Sequence, residues 1–356
     1  MCDEHRFEVY IATCNHTGAS LTSTEGPAEP GAAHRGPLGY AFAVADTAYC
    51  CWEYDHRSRT LEFLDGLDPD YFGTMAALLG AELDGDHSLA ASVTIRMLYV
   101  QGIEALLALL AATVQAPEAV AAWIASSTTQ DLDAVSRMLV HGQPILTQYG
   151  SQRLSLTDLS IHLHRFAWPD ETGDEATGAR FGRLWRRLAS EFLDDVVRAE
   201  NNALKHGHRV TAGGFSLLIG IEEVPGVPAP ASAMRSVGAS KHGTTFFRAE
   251  RVGASKHHIR ARRSSVNWSA VAVTNRLLLI SMSIRNVVSA LRCELGMDPA
   301  TVLFHRPEDP DIFDDVWHEA VGIRHSNLDS VVRIGVGDEV SREDLLKELE
   351  RRTQPG

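Results

Sequence analysis

Between Gly178 and His206, the residues Phe181, Leu184, Trp185, Leu188, Phe192, Val196, Ala199 and Ala203 recur at steps of mostly three and four. An α-helix turns once every ~3.6 residues, so this spacing predicts one helix of roughly six turns with a single apolar stripe. A stripe that long must be covered lengthwise by other helices, which commits the chain to a bundle. Residues 88–140 are also strongly helical in pattern. They are interrupted at Gln115-Ala116-Pro117-Glu118, where Pro117 suits the first turn of a helix bearing Val120 and Trp123. A short helix over 131–140 ends near His141-Gly142, and Leu67-Asp68-Pro69-Asp70 reads as a helix start. A second long helix is predicted over 268–295, with Val271, Leu278, Ile280, Met282, Val287 and Leu291 among its apolar positions.

The β signals are short and scattered. Residues 7–14 and 39–54 are rich in aromatic and β-branched side chains, with a Gly-, Pro-, Ser- and Thr-rich loop over 17–37 between them. Further strands are expected at 215–223, 301–304 and 331–334, and a helix at 311–320. Ser341-x-x-Asp344 resembles a capping box before a charged C-terminal helix. Strands do not alternate regularly with helices, so a doubly wound sheet is not expected. The expected fold is mainly α, a helical bundle with small β-strand additions (α+β). Its expected parts are a β-rich segment over 1–63, a bundle over 64–210 and an α+β region over 211–356.

Composition limits the function. With 33 basic against 46 acidic residues the net charge is −13, so any nucleic-acid site must be local. The first residues include Asp3, Glu4, His5 and Arg6 and no apolar run, so neither a signal peptide nor a transit peptide is expected. The run 98–114 contains Gln101, Gly102 and Glu104 and is short for a bilayer, so it reads as a core helix and no membrane partner is expected. Five cysteines, at 2, 14, 50, 51 and 293, lack C-x-x-C spacing. They read as buried thiols in a reducing cytoplasm. No phosphate-binding P-loop, dinucleotide fingerprint or G-x-S-x-G elbow is present, and no cofactor is expected.

One segment reverses the charge balance. Arg235, Lys241, Arg248, Arg251, Lys256, Arg260, Arg262 and Arg263 face the single acid Glu250, a local +7 that leaves −20 on the rest of the chain. Lysine and arginine neutralise phosphates, and the interleaved Phe246 and Phe247 can stack on bases. The same composition suits a solvated loop or a patch docking on the acidic body. The hexapeptide Val-Gly-Ala-Ser-Lys-His occurs at 237–242 and again at 252–257, which two equivalent turns of a β-ribbon would explain, with chance duplication as the alternative.

The end of the long helix carries the other candidate chemistry. Arg198, Asn202 and His206 follow one another at four-residue steps, offset by about 40° each, so they project along one side and can face one cleft. His206 lies within about 30° of the centre of the apolar stripe by the same arithmetic, facing inward. An imidazole beside an amide and a guanidinium can take a proton from a ribose hydroxyl while the guanidinium holds the phosphate, with no metal. A structural reading uses the same residues. Lys205-His206-Gly207 is how a helix ends, and Arg198 can pair with Glu191 or Asp195 along the helix. The pairs His162/His164, His206/His208 and His257/His258 lack the H-E-x-x-H pattern of a zinc site. Arg324-His325 and His318 form a further small cluster.

A helical bundle whose long, late helix carries an Arg and a His resembles the HEPN superfamily over about 88–210. The separation of Arg198 and His206 is longer than is usual there, and Ala199 stands where a polar residue is usual. Many HEPN proteins are metal-independent endoribonucleases of toxin–antitoxin and phage-defence systems. The resemblance implies RNA as a partner, His206 as general acid or base, Arg198 on the scissile phosphate, Asn202 as orienting residue, and a homodimer in which two such helices form one cleft. Inactive relatives bind RNA or protein partners only, and a non-catalytic interaction or scaffold protein is the alternative expectation.

Overall fold

Leucine, isoleucine, valine and alanine crowd every face of Ser88–Gln115, and a helix apolar all round has to be enclosed by its neighbours. The computed structural model describes residues 39–52, 55–147, 150–168, 176–206, 209–224, 226–251, 259–318, 323–328 and 341–353. The expected strands at 7–14 and 331–334, the loop at 17–37 and the second copy of the hexapeptide lie outside them.

In chain order, a hairpin of β1 (Tyr40–Val44) and β2 (Thr47–Cys51) leads into α1 (His56–Gly66), α2 (Tyr71–Gly80) and α3 (Ser88–Gln115). Then come α4 (Val120–Ser126), α5 (Thr129–His141), the hairpin β3 (Pro144–Thr147) and β4 (Gly150–Arg153), and α6 (Leu156–His164). Next are α7 (Thr177–Phe192), α8 (Asp195–Lys205), β5 (Val210–Ala212), β6 (Ser216–Ile219), β7 (Arg235–Ala239), β8 (Gly243–Arg251) and β9 (Ile259–Asn267). The chain continues through α9 (Ala270–Glu294), the single turn α10 (Ile312–Asp315), β10 (His325–Leu328) and α11 (Arg342–Thr353). The fold is mainly α with small sheets, as the pattern predicted.

Helices α3 and α9 pack along each other, α2 lies against both, and α6 and α7 form a second close pair. One apolar cluster runs from Phe42 to Val316 and joins the helices to the sheet through Phe246, Val266 and Trp268. One buried amide is fully satisfied by the backbone and side chains around it. Gln115, at the end of α3, accepts from the Ala45 N–H and the Trp123 indole and donates to the carbonyls of Ala45 and Leu146. It thereby ties both small hairpins to the bundle, and all four hydrogen-bonding positions of its amide are filled. By length and composition α3 and α9 could each cross a membrane, and two-thirds of the apolar stretch of each is buried inside the fold.

The predicted six-turn helix is two helices. Helix α7 ends at Phe192, and the Asp194 carboxylate accepts from the Val196 and Val197 N–H groups at 2.8 and 3.0 Å to start α8. The apolar stripe continues in phase across the break, so periodicity alone does not reveal it. Other expectations also change. Residues 39–52 hold a hairpin rather than one strand, 301–304 is not a strand, and among the described residues 311–318 only α10 is helical. The Ser341–Asp344 cap forms.

The largest sheet has the order β10-β9-β8-β5, antiparallel throughout. On one of its faces Thr244 meets α8, and Phe246, 1% exposed, enters the core. Beyond that contact β8 and β9 run on as a two-stranded ribbon.

Candidate functional site

Arg198, Asn202 and His206 do line one cleft. It measures about 510 Å³ and lies among α3, α5 and α8, with Val100, Glu104, Gln130, Asp133, Asn201 and Lys205 completing the wall. His206 is the residue that closes α8, and its side chain is exposed instead of facing the core as the stripe arithmetic required. The reason is that His206 is the C-cap of α8, with φ −96° and ψ 55°, so its side chain leaves the helical progression on which the arithmetic rests. Among the described residues the His206 imidazole has no partner. Arg198 pairs with Asp133 of α5 rather than with Glu191 or Asp195, and Lys205 pairs with Glu104 of α3. Both cations of the cleft are therefore neutralised across helices. The Asn201 carboxamide is buried, and its oxygen lacks a partner among the described residues.

The basic segment does not reach this cleft. Glu200, between Arg198 and Asn202 on α8, points the other way, onto β8, where its carboxylate accepts from the Thr244 hydroxyl. Register separates the ribbon into two faces. On one, Arg248 sits opposite Arg262 and Glu250 opposite Arg260, and Glu250 contacts Arg260 and Arg262 at 2.9 and 3.1 Å. These arginines hold the Glu250 carboxyl below its ordinary value, chiefly through the hydrogen bond from Arg260. On the other face Phe247 sits opposite Arg263 and Arg251 opposite Ile259, with Phe247 67% and Ile259 64% exposed. Phe247 alone remains able to stack on a base, because Phe246 is in the core. Lys241 is drawn back to the body, to the Leu83 carbonyl at 3.2 Å and Asp84 at 3.7 Å. Lys256 lies outside the described residues.

Two further histidines, His164 and His162, have structural surroundings. His164 is buried in the core, stacked on Trp168 and Phe181, with its ring nitrogens against Ser160 and Asn286. His162 contacts Glu294 at 3.2 Å. Among the described residues no group of His, Cys, Asp and Glu is placed to hold a metal ion. Cys293 is a buried thiol, but Cys50 is exposed and Cys51 only half-buried, because their hairpin has one open side.

A buried ionic network escaped the sequence reading. Arg96 of α3 donates to Glu200, Tyr99 donates to Glu191 at 2.6 Å, and Arg276 of α9 lies 3.6 Å from Glu191 and donates to the Val316 carbonyl. Burial alone would lower the Arg96 guanidinium, but Glu200 outweighs it and holds the group above its ordinary value. Burial, with Glu191 beside it, pushes the Tyr99 hydroxyl well up. The legible signal was an arginine set among apolar residues of a long helix, Arg96 in α3 and Arg276 in α9, since a charge buried there needs a partner. Beside this network a second cavity of about 350 Å³ opens between the α7–α8 junction and the β9–β10 edge, and it takes in Arg324 and His325.

No family model, no curated protein and no solved structure matches this chain.

Proposed function

We propose that this protein binds RNA and cleaves it without a metal ion at the cleft beside α8, as its HEPN-like pattern implies. The observation that carries the reading is the convergence of Arg198, Asn202 and His206 on one cleft, with the His206 imidazole exposed and unpartnered among the described residues. In this reading His206 takes the proton of a ribose 2′-hydroxyl, whose oxygen attacks the adjacent phosphorus. The P–O5′ bond breaks, the leaving oxygen is protonated by solvent, and a 2′,3′-cyclic phosphate and a 5′-hydroxyl result. Arg198 stabilises the charge of the phosphorane after exchanging Asp133 for the phosphate, and Asn202 orients the ribose. The ribbon side chains Phe247, Arg251 and Arg263 bind single-stranded RNA by stacking and phosphate contacts. Two copies of α8 facing each other would form the functional dimer.

The test is incubation with end-labelled RNA in EDTA, run beside His206→Ala. Cleavage with cyclic phosphate ends that disappears in the variant supports the reading. Intact RNA in the presence of folded wild-type protein overturns catalysis.

A second reading, a non-catalytic interaction protein, is favoured by the hairpin of β6 and β7. Leu218, Ile219 and Val237 on these strands, and Ile221 just beyond, are all exposed. Apolar side chains grouped in this way mark a protein-binding surface.

A further inference from the structure

The cavity between the α7–α8 junction and the β9–β10 edge is lined by Arg96, Arg276 and Arg324, by Glu191 and Asp194, and by Trp268 and His325. Each of its two acids has one oxygen hydrogen-bonded within the fold. Glu191 accepts from the Tyr99 hydroxyl at 2.6 Å and faces Arg276, and Asp194 accepts from the first N–H groups of α8. Its donors are not all engaged. Trp268 is only 2% exposed, yet its indole N–H has no partner among the described residues. His325 Nε2 is likewise buried without a partner among them. Arg324 gives one N–H to the Trp317 carbonyl at 3.3 Å and meets no carboxylate among them.

A buried N–H left without an acceptor costs free energy that the fold recovers only if something accepts from it. The Trp268 ring is held in place, with His242 stacked on it at 6.1 Å between centroids and the Arg96 guanidinium 6.0 Å from its centroid. With this wall held in place, the cavity carries three arginines against two carboxylates, and two buried ring nitrogens without a partner among the described residues, and the complementary ligand is an oxyanion. An indole N–H, an imidazole and a guanidinium together offer donors for at least three oxygens, more than a carboxylate presents.

We propose that this cavity is a binding site for a phosphate monoester group, held by Trp268, Arg324 and His325. The site is separate from the cleft beside α8 and does not depend on cleavage there.

The test is isothermal titration of the full chain with inorganic phosphate, with a nucleoside 5′-monophosphate, and with succinate as the carboxylate control. Phosphate or the nucleotide binds the wild type and succinate does not. Arg324→Gln, a change at an exposed side chain, weakens binding about tenfold, the weight of one charge-assisted contact. Trp268→Phe keeps the ring and removes only the N–H, and weakens binding about fivefold. Arg59→Gln, on the surface of α1, keeps wild-type affinity. Circular dichroism establishes that each variant is folded, and Arg324→Gln decides alone if Trp268→Phe is not. No phosphate binding by the wild type, unchanged affinity in Arg324→Gln, or preference for succinate overturns the assignment.

Discussion

Glu200 accepts both the Nε and the Nη2 of Arg96 on a single carboxylate oxygen, at 3.0 and 2.8 Å, and gives its other oxygen to Thr244. One side chain of α8 is therefore fastened to α3 and to β8 at once. The contact fixes the rotation of α8 about its axis. With Glu200 turned to the sheet, Arg198 and Asn202, two residues either side of it and about 200° around the helix, must face α5 and the cleft. A buried ion pair thus orients the residues of the candidate site without touching them.

Replacing Glu200 by Gln leaves the Arg96 charge enclosed and uncompensated. The expected loss is about 3–5 kcal/mol of unfolding free energy, read from urea denaturation. A double replacement, Arg96→Met with Glu200→Leu, removes both charges and recovers most of that loss. Equal stability of Glu200→Gln and wild type would mean that the pair does not hold α8.

Gly182 sets the distance between α6 and α7. A Cβ at this position would sit 2.5 Å from the Thr157 Cα and 3.1 Å from the Leu156 carbonyl oxygen, both backbone atoms that cannot turn away. Gly182→Ala gains intrinsic helix propensity and would stabilise an unpacked helix. Here it forces the two helices apart, and the expected outcome is a net loss of about 1–3 kcal/mol, seen as a lower Tm.

The bundle was legible because its helices bury long apolar stripes, and α3, α9 and the α7–α8 pair stand close to where periodicity put them. The break at Asp194 was not, although an Asp ahead of Asp195-Val196-Val197 is an N-cap signal within the stripe. Capping chemistry also marks α6, where Ser155 and Asp158 form a capping box that apolar periodicity does not show. The spacing of Arg198, Asn202 and His206 foretold a shared cleft. It could not foretell that Asp133 and Glu104, distant in sequence, would neutralise Arg198 and Lys205. Pairing between helices depends on packing angles that a single helix does not encode. The same limit hid Glu200, which reads locally as one more surface acid.

Asp133 competes with any phosphate for Arg198. Asp133→Asn keeps the side-chain shape, removes the negative charge and releases the guanidinium. If the cleft takes RNA, this variant binds a short single-stranded oligonucleotide about tenfold more tightly at low salt, as one charge-assisted contact becomes available. Fluorescence anisotropy measures the change, and Asp133→Asn combined with Arg198→Gln abolishes it. A gain that survives the second substitution would assign it to Arg137, which Asp133 also holds at 3.0 Å, and not to Arg198.

The open face of the ribbon separates two kinds of contact. Arg263→Gln removes a phosphate contact, so the slope of log K against log salt becomes shallower by about 0.7 for a single strand. Phe247→Ala removes a stacking surface, lowers affinity by about 1–3 kcal/mol and leaves that slope unchanged. Anisotropy titrations at several salt concentrations read both numbers. Loss of the slope change in Arg263→Gln, or of the affinity change in Phe247→Ala, would return the ribbon to a solvated surface.

Stability in mild acid tests the environment of two histidines. Burial lowers the His242 and His325 imidazoles from their ordinary value of 6.5, aided by Lys241 for the first and Arg248 for the second. The folded chain therefore holds both rings neutral where the unfolded chain has begun to take up protons. In that range the unfolded state binds more protons, so stability falls as the pH drops below 6.5, until the pH has passed the folded values. The carboxylates held low in the fold, Glu250 and Glu294, lose their contribution only below their ordinary 4.5. Between these limits the histidines can be read separately. Thermal melts of wild type lose Tm from pH 6.5 towards 4.5, and the double variant His242→Gln, His325→Gln follows a flatter line. Parallel lines for the two proteins would show that neither ring is held neutral by the fold.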